Sequence, residues 1–310
     1  MSPAVKSRKP GAERSAFRPD IVRNYLVTEG MDSTLLDFLF AAMPDKKKTA
    51  VRAYLKHSQV KVNSTVTTQY NFGLNPGDTV SVNISRQWQT LSNPRLKIYY
   101  EDDDIIVVYK GYGLLSMGND KHRDGTAYSL LRDYVKRVDP RNKIFIVHRL
   151  DQHTSGLMVF AKTEEAKNNL QHNWNNMVLE RRYMAIVEGR PEKRQGTQSS
   201  YLAENEQHIV YSSPTKTEGS QLAVTHWKAI RSRNGYTLME VSLDTGRKNQ
   251  IRVHMKDLGH PIAGDKKYGA RTSPIHRLAL HAATLRFVHP ITRKDMNFNA
   301  PLPASFDKLV

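Results

Sequence analysis

Between residues 105 and 243 the chain repeats one kind of segment six times: IIVVYK (105–110), KIFIVH (143–148), GLMVFAKT (156–163), RYMAIVEG (182–189), AVTHWKAI (223–230) and TLMEVSL (237–243). β-Branched and aromatic runs of this length suit a pleated, packed surface, and six in succession commit the region to a large sheet. The helical stretches SLLRDYVKRV and AKNNLQHNWNNM fall between some of them. The expected class is therefore α+β, a mixed and mainly antiparallel central sheet.

The segment ahead of it has a different rhythm. Ser33 or Thr34 stands where a helix cap belongs, Leu35, Leu36, Leu39 and Phe40 follow at helical spacing, and Pro44 ends the pattern. In a second predicted helix Lys48, Arg52 and Lys56 recur every fourth residue, which sets three cations on one face while Val51 and Leu55 turn inward. Val60, Val62 and Val66, the turn Asn75-Pro76-Gly77-Asp78 and the run TVSVNI complete a small sheet. This helix–helix–strand pattern resembles the small RNA-binding domain named after the fourth protein of the small ribosomal subunit. The resemblance implies that Lys48, Arg52 and Lys56 face RNA. The chain thus divides into a flexible basic arm (1–20), a small α/β RNA-binding domain (21–85), a polar linker (86–96) and a catalytic domain (97–310).

Composition narrows the partner. Over 310 residues the formal charge is +17, far more than solubility requires, and such an excess favours a polyanion held through phosphate contacts. There are no cysteines, which removes disulfides, thiolate metal sites and cysteine nucleophiles together. Twelve histidines form no ligand-spaced cluster, and no phosphate-cradling glycine loop or dinucleotide fingerprint is present, so neither a metal nor a cofactor is expected. The absence of a long apolar run and of a signal-peptide core points to a cytoplasmic protein without membrane contact. A monomer is the expected state.

The chemistry concentrates in His148-Arg149-Leu150-Asp151-Gln152-His153-Thr154-Ser155-Gly156-Leu157. An apolar strand runs into a charged turn and out into another apolar strand, so Asp151 sits between two strand ends beside an arginine and two histidines. That position suits a catalytic carboxylate as well as a turn-capping one. The pattern HRLDxxTSGLxxxAK resembles the catalytic motif of the RluA family of pseudouridine synthases. DDDIIVVYKGYGLLS, RRYMAIVEG, LDTGRKNQIRVHMKDLGHPIAGDKKYG and RLALHAATLRFVHPITRKDMNFNAPLP resemble further segments of that family, and the resemblance spans about residues 95 to 303.

The resemblance implies that Asp151 is the essential carboxylate, that Tyr183 packs against the target base, and that Arg252 pairs with the aspartate. It also implies that Arg149 fills the place left when a uridine flips out of its stack. The alternation in Gln250-Ile251-Arg252-Val253-His254-Met255 predicts a strand, with Gln250, Arg252 and His254 on one side and Ile251, Val253 and Met255 in the core. A guanidinium so placed offsets the cost of burying the carboxylate as an anion. Where family members commonly read Gly-Arg-Thr-His-Gln, this chain reads Gly246-Arg247-Lys248-Asn249-Gln250.

The expected activity is isomerisation of uridine in structured RNA, ribosomal RNA of the large subunit first and transfer RNA second. Two further readings belong to other classes. One is a non-catalytic RNA-binding or ribosome-assembly factor. The other is a serine hydrolase using Ser155, although Thr-Ser-Gly lacks the Gly-x-Ser-x-Gly elbow.

Overall fold

The computed structural model describes residues 21–30, 34–63, 65–85, 91, 93–118 and 124–310. The expected arm (1–20) and most of the expected linker lie outside them. The chain separates into two compact units, Met1–Thr90 and Leu91–Val310.

The first unit contains β1 (Val22–Leu26), α1 (Leu35–Ala42), α2 (Lys48–Lys56), β2 (Val60–Val62), β3 (Thr65–Val66) and β4 (Thr79–Asn83). The strands pair antiparallel in the order β1-β4-β2-β3. Thr34 caps α1 by accepting the Asp37 amide at 3.3 Å, which satisfies one of the helix's open donors. Leu35 and Leu39 of α1 and Val51 and Leu55 of α2 bury against Val60, Val62, Val80 and Val82. The apolar stripe of each helix therefore closes one face of the sheet, and the cations of α2 are left outside.

The second unit begins with β5 (Leu96–Glu101), β6 (Ile105–Lys110), α3 (Ala127–Val138), β7 (Phe145–Ile146), β8 (Ser155–Ala161), α4 (Glu164–His172) and α5 (Trp174–Met177). It continues through β9 (Val178–Glu188), β10 (Gln195–Glu204), β11 (Val210–Ser213), β12 (Gln221–Arg233), β13 (Tyr236–Leu243), α6 (Gln250–Asp257), β14 (Leu280–Val288), β15 (Asp295–Asn299) and α7 (Ala304–Leu309). The sheet runs β11-β10-β12-β13-β9-β14-β8-β6-β5, with β15 on β14 and β7 on β8. Strand β5 opens at Leu96, inside the stretch read as linker, because that side chain is buried against α3 with Leu131 and Val135.

The unbroken apolar character of β6 and β8 follows from cover on both faces. Ile106, Val108, Met158 and Phe160 pack toward α3, while Ile105, Val107, Leu157 and Val159 pack with Leu170 of α4 and Met177. Helices α6 and α7 cover the other half of the sheet, where Ile251, Met255 and Phe306 meet Met239 and Val241.

Among the described strands one pairing is parallel: β14 meets β8 at His281↔Ser155 and Ala282↔Gly156. Gly156 holds φ +125°, and a Cβ there would lie 2.1 Å from the Ala282 carbonyl oxygen, so no other residue fits this seam.

Two expectations from the sequence are corrected. The KIFIVH run contributes only Phe145 and Ile146 to the sheet, because the chain turns away at Val147 to build the Asp151 loop. The segment Gln250–Met255 is not a strand but the start of α6. Its six residues fit a period of two, yet 250/253/254 and 251/255 fit a helical period equally well, and the buried set is Gln250, Ile251, Val253, His254 and Met255. Gln250 and His254 therefore point inward rather than beside Arg252. The helix starts abruptly because Asn249 stands at φ 54°, which turns the chain out of its extended course.

Candidate active site

Asp151 sits on a loop held from both sides. Ser116 Oγ donates to the Leu150 carbonyl at 2.6 Å and accepts the Leu150 amide at 3.1 Å. On the other side the Gln152 carbonyl accepts Lys110 Nζ at 3.1 Å and the Gly113 amide at 2.9 Å. The turn closes on itself through the Thr154 amide and the Asp151 carbonyl at 3.0 Å. Lys110 is fully buried at the end of β6 and also donates to the Leu114 carbonyl at 2.8 Å. Burial, aided by the charge of Arg277 and opposed by Asp151, lowers its pKa to about 7.

His148 precedes this loop and is structural. Its Nε2 accepts the Val159 amide at 3.0 Å, which requires the neutral ring, and burial with the nearby charge of Arg181 lowers its pKa to about 3. Its ring lies tilted against Trp174 at 4.8 Å between centroids.

Helix α6 brings Arg252 to the loop. Its Nη1 lies 3.6 Å from Asp151 Oδ2, an ion pair beyond hydrogen-bond length. The remaining donors are engaged elsewhere: Nε and Nη2 grip the buried Asp265 at 2.7 and 2.8 Å, and Nη1 reaches Asn249 Oδ1 at 3.1 Å. The guanidinium centre also lies 4.8 Å from the Tyr268 ring centre. Burial disfavours the charge of Arg252, but the bonds and charge of Asp265, with Asp151 behind them, outweigh it and raise the pKa. Asp265 thus fixes the cation, and the Asp151 carboxylate stays open to a substrate.

Tyr183 of β9 lines the same cleft, which has a volume of about 420 Å³. Burial is the main cause of its raised pKa, with Asp151 adding to it and Arg181 opposing, so the ring stands as a neutral phenol. Arg149 also lines the cleft, is exposed, and makes no ion pair among the described residues. Asp151, Tyr183, Arg252 and Arg149 are therefore gathered in one place. Lys48, Arg52 and Lys56 belong to the other unit, exposed along α2, where Lys48 and Arg52 lie over the Phe40 ring at 5.3 and 5.2 Å.

The departures from the family pattern find partners. Lys248 pairs with Glu204, and Asn249 links Arg252 to the Tyr268 hydroxyl, to which its Nδ2 donates at 2.8 Å. Ser155 is wholly buried, accepts Arg277 Nη2 at 2.7 Å and lies 2.9 Å from His281 Nδ1, so it has no access to an ester. Among the described residues Asp102, Asp104 and His289 lie close enough to share an ion. His289 Nδ1 accepts the Ile291 and Thr292 amides, so Nε2 must donate to Asp102, and the ring has no lone pair left for a metal.

Sequence reasoning missed Lys110, Ser116, Asp265 and Tyr268. A signal existed for Asp265, a carboxylate directly after the apolar Pro261-Ile262-Ala263-Gly264, since a buried aspartate requires a cation.

A neutral aromatic beside an aspartate–arginine pair in one cleft fits a glycosidic rearrangement on a flat base. Known proteins agree. Residues 104–257 match the family model described as RNA pseudouridylate synthase. The uncharacterized RNA pseudouridine synthase YlyB of Bacillus subtilis (strain 168) is 36% identical over 280 residues, 88% of this chain and 91% of that one. Ribosomal large subunit pseudouridine synthase D of Haemophilus influenzae is 30% identical over 308 residues, 91% of each chain. The structure of human RNA pseudouridylate synthase domain containing 4 superposes with a TM-score of 0.55 at 24% identity, over 68% of this chain and 90% of that one. The chain belongs to the RNA pseudouridine synthases of the RluA type, enzymes that isomerise uridine in RNA.

Proposed function

We propose that Asp151 is the catalytic carboxylate and that the substrate is ribosomal RNA of the large subunit. The observation that carries the first assignment is the Asp151 carboxylate 3.6 Å from Arg252 in the cleft lined by Tyr183. In the reaction the bond between N1 of uracil and C1′ of ribose breaks. The ring turns in place, C5 bonds to C1′, and the proton on C5 leaves.

Three openings suit Asp151: attack on C1′, attack on the base, or removal of a ribose proton to give a glycal. In all three its carboxylate must be free of tight hydrogen bonds, and Arg252 satisfies this by directing its short bonds to Asp265 and Asn249. Tyr183 stacks on the freed ring and keeps water from C1′. As a neutral phenol it can pass on the C5 proton only if its own moves to Asp151 in the same step. Arg149, exposed at the cleft, takes the flipped uridine's place in the RNA stack.

Support for ribosomal RNA comes from relatives named for the large subunit, from the +17 charge and from the cations of α2. A protein acting on RNA of this kind works in the cytoplasm.

The test is pseudouridine mapping by carbodiimide labelling and primer extension, on RNA from cells lacking the gene and complemented with wild type or Asp151→Asn. Loss of a discrete large-subunit site, restored by wild type alone, is expected. Restoration by Asp151→Asn would remove the catalytic assignment, and a site in transfer RNA would remove the substrate.

A further inference from the structure

Two consecutive arginines on β9 have opposite circumstances. Arg182 is neutralised twice, by Glu180 at 2.7 Å and Glu240 at 3.2 Å. Arg181, on the face shared with Tyr183, lines the cleft half-buried and has no carboxylate partner among the described residues. A half-desolvated cation without a counter-charge is costly unless an anion arrives to share its surroundings.

The surroundings of Arg181 orient it without neutralising it. Its guanidinium lies 5.8 Å from the Trp174 ring centre, and Nη2 donates to the Leu243 carbonyl at 3.3 Å. Trp174 is itself backed by His148, which its bond from Val159 keeps neutral. Opposite stands Gly246, where a Cβ would lie 2.8 Å from Arg181 Nη1. The glycine leaves the space the guanidinium occupies. A planar fork with several open N–H donors is the side chain best matched to a phosphate. Along β9 it stands two residues from Tyr183, roughly 7 Å, so an anion bound there adjoins the nucleotide on Tyr183.

We propose that Arg181 is a phosphate seat within the cleft, taking a phosphodiester beside the target uridine, with Trp174 as its support and Gly246 as its clearance. The inference rests on the RNA-modifying reading above and adds a subsite to it. The seat holds the backbone and not a base, so it anchors the strand while the target ring turns.

The experiment uses the full-length chain and synthetic RNA hairpins with a loop of uridines, each carrying one methylphosphonate in or beside the loop. Affinity is read by fluorescence anisotropy for wild type, Arg181→Gln and Gly246→Ala, with thermal melts to establish folding. At one loop position the neutral linkage should weaken wild type about tenfold, the scale of one charge-assisted hydrogen bond. The same linkage should cost Arg181→Gln nothing. Gly246→Ala, which displaces the guanidinium while keeping it, should lose most of the same penalty. If every linkage that weakens wild type weakens Arg181→Gln equally, the phosphate seat is wrong. Mapping with Asp151→Asn decides the enzymatic reading separately, so either idea can fail alone.

Discussion

His148 shows how much one proton can matter at a partly buried ring. Its pKa falls from an ordinary 6.5 to about 3, so between those values the unfolded chain binds a proton that the folded chain refuses. Stability is therefore full above pH 6.5 and drops as pH falls toward 3, by about 1.4 kcal/mol per unit from this group. His148→Gln keeps an acceptor for the Val159 amide and removes the titration. Urea unfolding at pH 7, 6, 5 and 4 should show the variant gaining on wild type by about that slope; parallel curves would show that His148 does not titrate as described. Asp151, Arg149, Tyr183 and Arg252 were legible as residues because contiguous segments carry them. Asp265 and Lys110 were not, because their importance lies in what they touch: Asp265 meets Arg252 across thirteen positions and Lys110 meets Gln152 across forty-two. A sequence shows types and spacings, and long-range partners appear only with the fold.

Helix α6 is where local pattern misled. Six alternating residues suit either period, and tertiary cover decided between them. The backbone signal was Asn249, which holds φ 54°, a region few side chains other than glycine and asparagine enter readily. Both Asn249→Gly and Asn249→Val lose the bonds to Arg252 and Tyr268, but valine adds strain at the turn. Denaturant unfolding should place the valine variant below the glycine variant by about 1–3 kcal/mol. Equal stabilities would mean that the left-handed turn relaxes without cost. The strands of β6, β8, β9, β12 and β13 were readable because packed β-branched runs permit few alternatives, while β7 shrank to two residues where the Asp151 loop claimed the rest of its run.

The whole molecule is two compact units, Met1–Thr90 and Leu91–Val310. In the first, Lys48, Arg52 and Lys56 lie exposed on one face of α2. Replacing all three with alanine should reduce the slope of log affinity against log salt for ribosomal RNA by up to about three, one for each phosphate that no longer meets a cation. An unchanged slope would leave that face as a solvated surface. The fold class was readable from the six runs, and so was the helix–helix–strand pattern of the small domain. The order of strands was not, because the parallel seam between β8 and β14 joins residues far apart in the chain. Ser155 and His281, which meet there, are 126 positions apart. At about 5–20 residues per second, a ribosome needs roughly 6–25 s to travel from one to the other. During that interval the emerging chain already carries the Asp151 loop but not the strand that lies between its two half-sheets. Catalytic competence is thus acquired late in synthesis, and the nascent enzyme is carried through most of its own translation without a finished site.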